Sequence, residues 1–295
     1  MASLKSVDNW GTVSKSYQHD LIERSKFSEV MRRCPDSFAF SNGIRSEDRL
    51  SALRKISPTL SHEDAKKALQ EKYFNRSDPS IPVFGFVGRI CEQKGVELLA
   101  YVAQDIISRT GGKVQFIIGG YAPANDPYAK RCASLLNRLH AGHPSSLWAD
   151  PDRFFLDGGL VNLGADFAVM PSLFEPGGIV QHEFFVAGTP VIAFKTGGLK
   201  DTVIEYDRGS GEGNGFTFEG YYHDDLCRAV ARALDLYNAD PSGYQKLREN
   251  ARRSALDMEV VASAWANEFC RLCGALPPPL SRPLEEERTK ERIKL

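Results

Sequence analysis

Long apolar runs are missing from this sequence of 295 residues, and so is any excess of charge. The first absence excludes a membrane-spanning helix, which needs about 20 apolar residues. The opening MASLKSVDNW likewise lacks the apolar core of a signal peptide. Asp8 and Asp20 interrupt the acid-poor character of a transit peptide. The second absence is numerical: 37 Lys and Arg stand against 38 Asp and Glu, a net charge of -1. No broad basic surface for nucleic acid or an anionic membrane is therefore expected. Cysteine is also scarce, with six residues at 34, 91, 132, 227, 270 and 273. They lack the density of a disulfide framework, so a reducing, cytosolic (cytoplasmic) setting is expected. What is present is ordinary: 42% hydrophobic and 25% charged residues, enough to bury a core. The length allows one large domain or two modest ones.

Short apolar runs that read as buried strands recur at 83–87, 114–118, 154–156, 167–170, 191–194 and 216–218. Between them lie helical spacings. Val96, Leu99, Val102 and Ile106 share one stripe, and Leu226, Val230, Ala233 and Tyr237 share another. Strand alternating with helix predicts an α/β fold, a Rossmann-like parallel sheet with helices on both faces. Ligands of such sheets bind beyond the carboxyl ends of the strands. The ends of the chain differ from its middle. Residues 1–45 offer a helix-like stretch at 15–31 and a short strand at 38–40. Residues 46–80 are polar, helical around 63–73, and read as a connecting region. Residues 81–276 carry the Rossmann-like pattern, and 277–295 read as a polar, solvated tail.

Three strand-to-helix turns carry chemistry. In Phe86-Val-Gly88-Arg89-Ile-Cys-Glu-Gln-Lys94-Gly95, two cations flank a turn and could both face a diphosphate, Arg89 as a planar fork and Lys94 as a point charge. Two solvated loop cations would read the same. In Pro171-Ser-Leu-Phe-Glu175-Pro-Gly177-Gly178-Ile179-Val-Gln-His182-Glu183, glycines open a helix whose free N–H groups suit an anion or sugar hydroxyls. Glu175 at that mouth can accept from sugar hydroxyls. Glu183, two turns deeper, could grip a ribose diol, or be a surface carboxylate. His182 reads as structural, with nothing nearby to pair with it. In Lys195-Thr196-Gly197-Gly198-Leu-Lys-Asp201-Thr-Val203 a second Gly-Gly turn offers a cradle with a hydroxyl, or merely a tight turn.

Taken together, Gly88-Arg-Ile-x-x-Gln-Lys-Gly95, Gly164-Ala-Asp-Phe-x-x-Met-Pro-Ser172, Phe174-Glu-Pro-x-Gly178 and Thr196-Gly-Gly-Leu-x-Asp-Thr-Val203 resemble the C-terminal domain of glycogen and starch synthases, glycosyltransferase family 5. The resemblance covers residues 80–275. Thr12-Val-Ser14 and Asn42-Gly-Ile44 resemble the end of that family's N-terminal domain, so residues 1–45 are expected to be a remnant of an acceptor domain and 46–80 an interdomain linker. The resemblance implies the C-terminal half of a GT-B fold. It implies retaining transfer of glucose from ADP- or UDP-glucose to the 4-OH at the non-reducing end of an α-1,4-glucan, without a metal or other cofactor. It assigns Arg89, Lys94 and Glu175 to catalysis. Gly88, Gly177, Gly178, Ile179, Glu183, Thr196, Gly197 and Gly198 are then assigned to donor binding.

Two departures stand out. Many bacterial members carry Cys and Thr where this chain has Gly177 and Val180, and Glu183 gives the E-x7-E spacing of other GT-B families, so the donor base is left open. The N-terminal Lys-x-Gly-Gly-Leu motif is also missing, so an acceptor domain is expected in the same gene product or on a partner chain. The alternative is a nucleotide-sugar-binding module inactive by itself. A phosphorylase is disfavoured because no lysine-bearing pyridoxal segment is visible. Asp150-Pro-Asp152 reads as a turn, Cys270-x-x-Cys273 as packing cysteines, and the glycine-rich stretch 209–215 as a loop before a strand.

Overall fold

A computed structural model describes residues 7, 9–33 and 36–274; Cys34 and the expected tail 277–295 lie outside them. The chain opens with β1 (Trp10–Thr12), α1 (Lys15–Glu23), α2 (Ser28–Arg32) and β2 (Ser37–Ala39), followed by α3 (Ser46–Arg54) and α4 (His62–Phe74). The main unit then runs β3 (Val83–Val87), α5 (Val96–Arg109), β4 (Gln115–Gly119), α6 (Pro127–Gly142), β5 (Leu147–Ala149), α7 (Gly158–Gly164) and β6 (Phe167–Met170). It continues with α8 (Val180–Val186), β7 (Val191–Phe194), α9 (Gly197–Thr202), β8 (Gly215–Phe218), α10 (His223–Ala239), α11 (Pro241–Arg253) and α12 (Met258–Cys273). Among the described residues no helix is long and apolar enough to cross a membrane.

Six strands form one sheet in the order β5-β4-β3-β6-β7-β8, every pair parallel. Parallel strands need crossovers, and these place helices on both faces, so the strands are apolar on both sides. On one face Phe84, Phe116, Phe167, Ile192 and Phe216 pack against α5, α6, α10 and α11. Phe84 stacks between Phe116 and Phe167 at ring distances of 5.1 and 5.4 Å. On the other face Val83, Ile117, Ala168 and Val191 meet α4, α7 and α8. Strand order reverses between β3 and β6. The chain builds outward from β3 to β5, then returns to build the other way from β6 to β8. Such a switch point opens a crevice at the carboxyl ends of the two diverging strands.

Three expectations need correction. Residues 154–156 form no strand: Phe154 and Leu156 are 77% and 84% exposed, and only Phe155 turns inward, onto Trp148 and Tyr73. The edge strand is β5, just before them, paired to β4 through Leu147 and Ala149. The stretch 15–31 is two helices, broken after Glu23 and restarted at Ser28. The 46–80 region holds α3 and α4 and is more than a connection. α4 lies so close to α7 that a Cβ on Gly164 would come within 2.7 Å of the Ala65 carbonyl.

α4 is also fixed by charge. Asp166, at the entrance to β6, accepts hydrogen bonds from the Val83 N–H (2.7 Å), the Tyr244 hydroxyl (2.8 Å) and Lys66 Nζ (2.8 Å), and lies 3.0 Å from His62 Nε2. Burial alone would raise its pKa. The His62 bond and the Lys66 charge outweigh burial and hold the carboxyl well below its usual range. The N-terminal stretch docks on the same unit: Ile44 exchanges backbone hydrogen bonds with Leu256 and Met258 at 2.9 and 2.8 Å.

Candidate functional site

β3 delivers its chain to the crevice through Gly88 and Arg89, and a 3-10 turn, Glu92–Lys94, leads into α5. Gly95 ends that turn at φ 66°, where a Cβ would stand 2.1 Å from the Pro171 carbonyl oxygen. Glycine is thus the residue that lets the β3 turn close on the β6 turn. The two turns are then joined: Leu173 N–H donates to the Gln93 carbonyl at 2.9 Å, and Gln93 Nε2 donates to the Phe174 carbonyl at 2.8 Å.

Within this frame Lys94 and Glu175, 81 residues apart, form an ion pair with little of either side chain exposed. Ser172 Oγ donates to the same Glu175 oxygen at 3.1 Å. After Glu175 the chain turns through Pro176, Gly177 and Gly178, the last at φ 66°, into α8. The N–H groups of Gly177, Gly178 and Ile179 have no acceptor among the described residues.

The β7 turn closes the far side. Gly197 at φ 42° and Gly198 pass so near the β6 turn that a Cβ on either would meet a carbonyl oxygen, Glu175 at 2.2 Å or Gly177 at 2.1 Å. Gly198 N–H donates to the carbonyls of Glu175 (2.9 Å) and Pro176 (3.1 Å), and Thr196 Oγ1 to that of Leu173 (3.3 Å). These two donors therefore serve turn-to-turn closure, leaving the Gly197 N–H without an acceptor among the described residues.

The sequence candidates thus separate into two groups. Lys94, Glu175, Gly177, Gly178, Thr196, Gly197 and Gly198 converge at one mouth. Arg89 is exposed beside it, held among the described residues only by Gln93 at 3.5 Å, and Gly88 is spent on the strand, its N–H donating to Gly119 at 3.0 Å. Glu183 points elsewhere, into an ion pair with Arg49 of α3. Burial raises its pKa, and Arg49 only partly opposes this.

Several site residues were not singled out from sequence. Ser14 Oγ donates to the Pro176 carbonyl at 2.5 Å, and Ser16 donates to Asp201 from both N–H (3.0 Å) and Oγ (2.5 Å). Tyr17 meets Phe174 edge-on at 5.5 Å. Asn42 and Val13 cover Gly177, where a Cβ would approach Asn42 Nδ2 to 2.3 Å. Only the Thr12-Val-Ser14 and Asn42-Gly-Ile44 stretches hinted at this, and no sequence signal marked Arg49. His182 is structural as expected, fully buried with Nδ1 accepting from the Leu256 N–H at 3.4 Å. Asp150 pairs locally with Arg153 at 3.6 Å, and Cys270 and Cys273 are free thiols in the last turn of α12.

The arrangement can hold an anion against Lys94 and Arg89 while Glu175 and unpaired N–H groups face hydroxyls beside it. Residues 69–254 match the family described as Glycosyl transferases group 1. The glycogen synthase of Desulfitobacterium hafniense is 36% identical over 91% of this chain and 55% of its own length. That of Thermosipho africanus is 28% identical over 88% of this chain and 53% of its own. This chain thus spans about half the length of the curated relatives it matches. The catalytic domain of starch synthase IV from Arabidopsis thaliana, bound to ADP and acarbose, superposes with a TM-score of 0.71 at 22% identity, covering 92% of this chain and 56% of that one. The sheet is accordingly one half of a GT-B architecture, and the chain belongs to the group 1 glycosyl transferases.

Proposed function

We propose that this chain is the donor-binding half of a retaining glucosyltransferase that moves glucose from ADP- or UDP-glucose to the non-reducing 4-OH of an α-1,4-glucan. The observation that carries the reading is the Lys94–Glu175 pair at the switch point, a largely covered cation set beside a hydroxyl acceptor and glycine N–H groups without an acceptor among the described residues. In this reading Lys94 and Arg89 bind the diphosphate. Glu175 and the N–H groups of Gly177 and Gly178 hold the glucose, while Glu183, turned to Arg49 of α3, is given no contact with the donor.

The C1–O bond to phosphate breaks with its electron pair leaving on the diphosphate, whose growing charge the two cations stabilise. The acceptor 4-OH bonds to C1 on the same face, and its proton passes to the departing phosphate oxygen. Arg89, Lys94 and the N–H groups meet the charge, so the transfer is proposed to need no metal. Scarce, scattered cysteine supports a cytoplasmic setting. A second reading, a nucleotide-sugar-binding module, is favoured by the half-length match to the relatives; an acceptor domain on the same product or a partner chain would complete the enzyme. A crystal soaked with ADP-glucose tests the site: phosphates against Arg89 and Lys94 are expected, and phosphates bound elsewhere would remove the proposal.

A further inference from the structure

Asp105 on α5, with His223 and Cys227 on the first two turns of α10, brings a carboxylate, an imidazole and a thiol together where the two helices pack. His223 and Cys227 are four residues apart and so share a helix face. Cys227 Sγ lies 3.6 Å from Asp105 Oδ2, 3.6 Å from His223 Nε2 and 3.7 Å from its Nδ1, and His223 Nε2 lies 3.7 Å from Asp105 Oδ2, so sharing an ion with the thiol would require the imidazole to turn its Nε2 edge outward from the ring face. The imidazole–carboxylate distance is too long for a hydrogen bond. It is close to what a shared ion requires: zinc bonds of about 2.0–2.3 Å, meeting tetrahedrally, set neighbouring ligand atoms about 3.3–3.6 Å apart.

The surroundings supply an outer layer. His223 Nδ1 lies 3.2 Å from Asp224 Oδ1, and a carboxylate behind a histidine in this way leaves Nε2 as the metal-binding nitrogen. Asp105 Oδ1 accepts from Arg109 Nε at 2.9 Å, a bond that can persist beside an ion. A second Arg109 contact, 2.6 Å to Oδ2, is the one an ion would replace, and the largely exposed guanidinium is free to turn into solvent. The Cys227 thiol is buried on the inner side. The outer side opens into a cleft of about 450 Å³ lined by Leu98, Tyr101, Gln104 and Ser108, with room for a water as fourth ligand.

We propose that Asp105, His223 and Cys227 bind one zinc ion that clips α5 to α10, apart from the glucosyl-transfer chemistry. A thiolate, an imidazole and a carboxylate together suit zinc over magnesium or calcium, which take oxygen ligands. Binding exchanges the thiol proton for the ion, and the proton leaves to solvent. The clip also steadies the segment entering α10, where the Tyr221 hydroxyl donates to the Pro171 carbonyl at 2.9 Å.

Cobalt reports the site directly. Metal-free chain titrated with Co2+ is expected to show a thiolate-to-cobalt charge-transfer band that saturates at one equivalent and is displaced by Zn2+. Cys227→Ser should abolish the band, while the double substitution Cys270→Ser/Cys273→Ser should keep it. Asp224→Asn should weaken zinc binding about 10- to 100-fold, and His223→Ala, at a partly exposed position, by at least as much while circular dichroism stays native. No band in the folded wild-type chain, a band that survives Cys227→Ser, or one lost with Cys270 and Cys273 would each overturn the proposal.

Discussion

Lys94 reaches Glu175 because Gly95 lets the first turn sink against Pro171, and because Ser172 turns the Glu175 carboxylate toward it. An ammonium held this way is positioned before any diphosphate arrives, which is the condition under which a fixed charge lowers a barrier rather than merely tightening binding. In a complete two-domain enzyme, Lys94→Ala is therefore expected to lower kcat by at least about 10²-fold, with a smaller change in KM. Steady-state kinetics check this, and near-normal kcat would remove Lys94 from the transition state. At this scale much of the site was legible in the sequence. Glycine beside a carboxylate or cation, at the end of an apolar strand, has few other physical uses when it recurs at three strands of one sheet. The ion pair of Glu183 was not legible: Arg49 lies 134 residues away, and nothing in its own neighbourhood marks it.

At the scale of elements, α4 illustrates why polar composition misleads. Residues 46–80 read as a connection because their charges suggest solvent, yet Lys66 is buried and spends its charge on Asp166, the Pro79 carbonyl (3.0 Å) and the Tyr237 hydroxyl (2.7 Å). Lys66→Met would leave Asp166 short of its cation inside the protein, at a cost of about 3–5 kcal/mol. Urea unfolding at pH 7 measures it; a loss within about 0.5 kcal/mol, the usual surface value, would mean the Lys66–Asp166 pair adds little to holding α4 on the sheet unit. Strand 154–156 fails for the converse reason, since three apolar residues in a row do not reveal that two face solvent.

His182 gives the pH signature of the α8 layer. Burial pushes its pKa down to about 4. A histidine depressed in the folded state takes up its proton in the unfolded chain first, so stability falls as pH drops from about 6.5 toward 4. Between pH 7 and 5 the wild-type chain should lose about 2 kcal/mol more than a His182→Gln variant. Equal losses in paired urea titrations would show that His182 is not the group responsible.

For the whole molecule, the question is which tasks one sheet can perform. The described turns at β3, β6 and β7 form a continuous mouth, and Ser14, Ser16, Tyr17 and Asn42 of the N-terminal stretch already lie against one side of it. Those contacts are to the rim of the Gly177 turn and to α9, so they shape the mouth without offering a second walled surface on which a glucan chain could lie. A donor needs the first kind of surface only: cations, a carboxylate and free amides on one side. An acceptor hydroxyl must in addition be held against C1 on the leaving group's face while water is excluded, and in a two-domain architecture that falls to the facing domain. The chain as it stands is therefore expected to bind ADP, UDP or their glucose conjugates by calorimetry, with affinity reduced in Lys94→Ala, and to add no glucose to a glucan primer. Supplying the facing domain, fused or as a separate chain, should restore elongation. Elongation by the purified chain alone would show that one sheet and its short N-terminal stretch suffice, whereas failure to bind any of these nucleotides would take the donor role from the Lys94–Glu175 mouth.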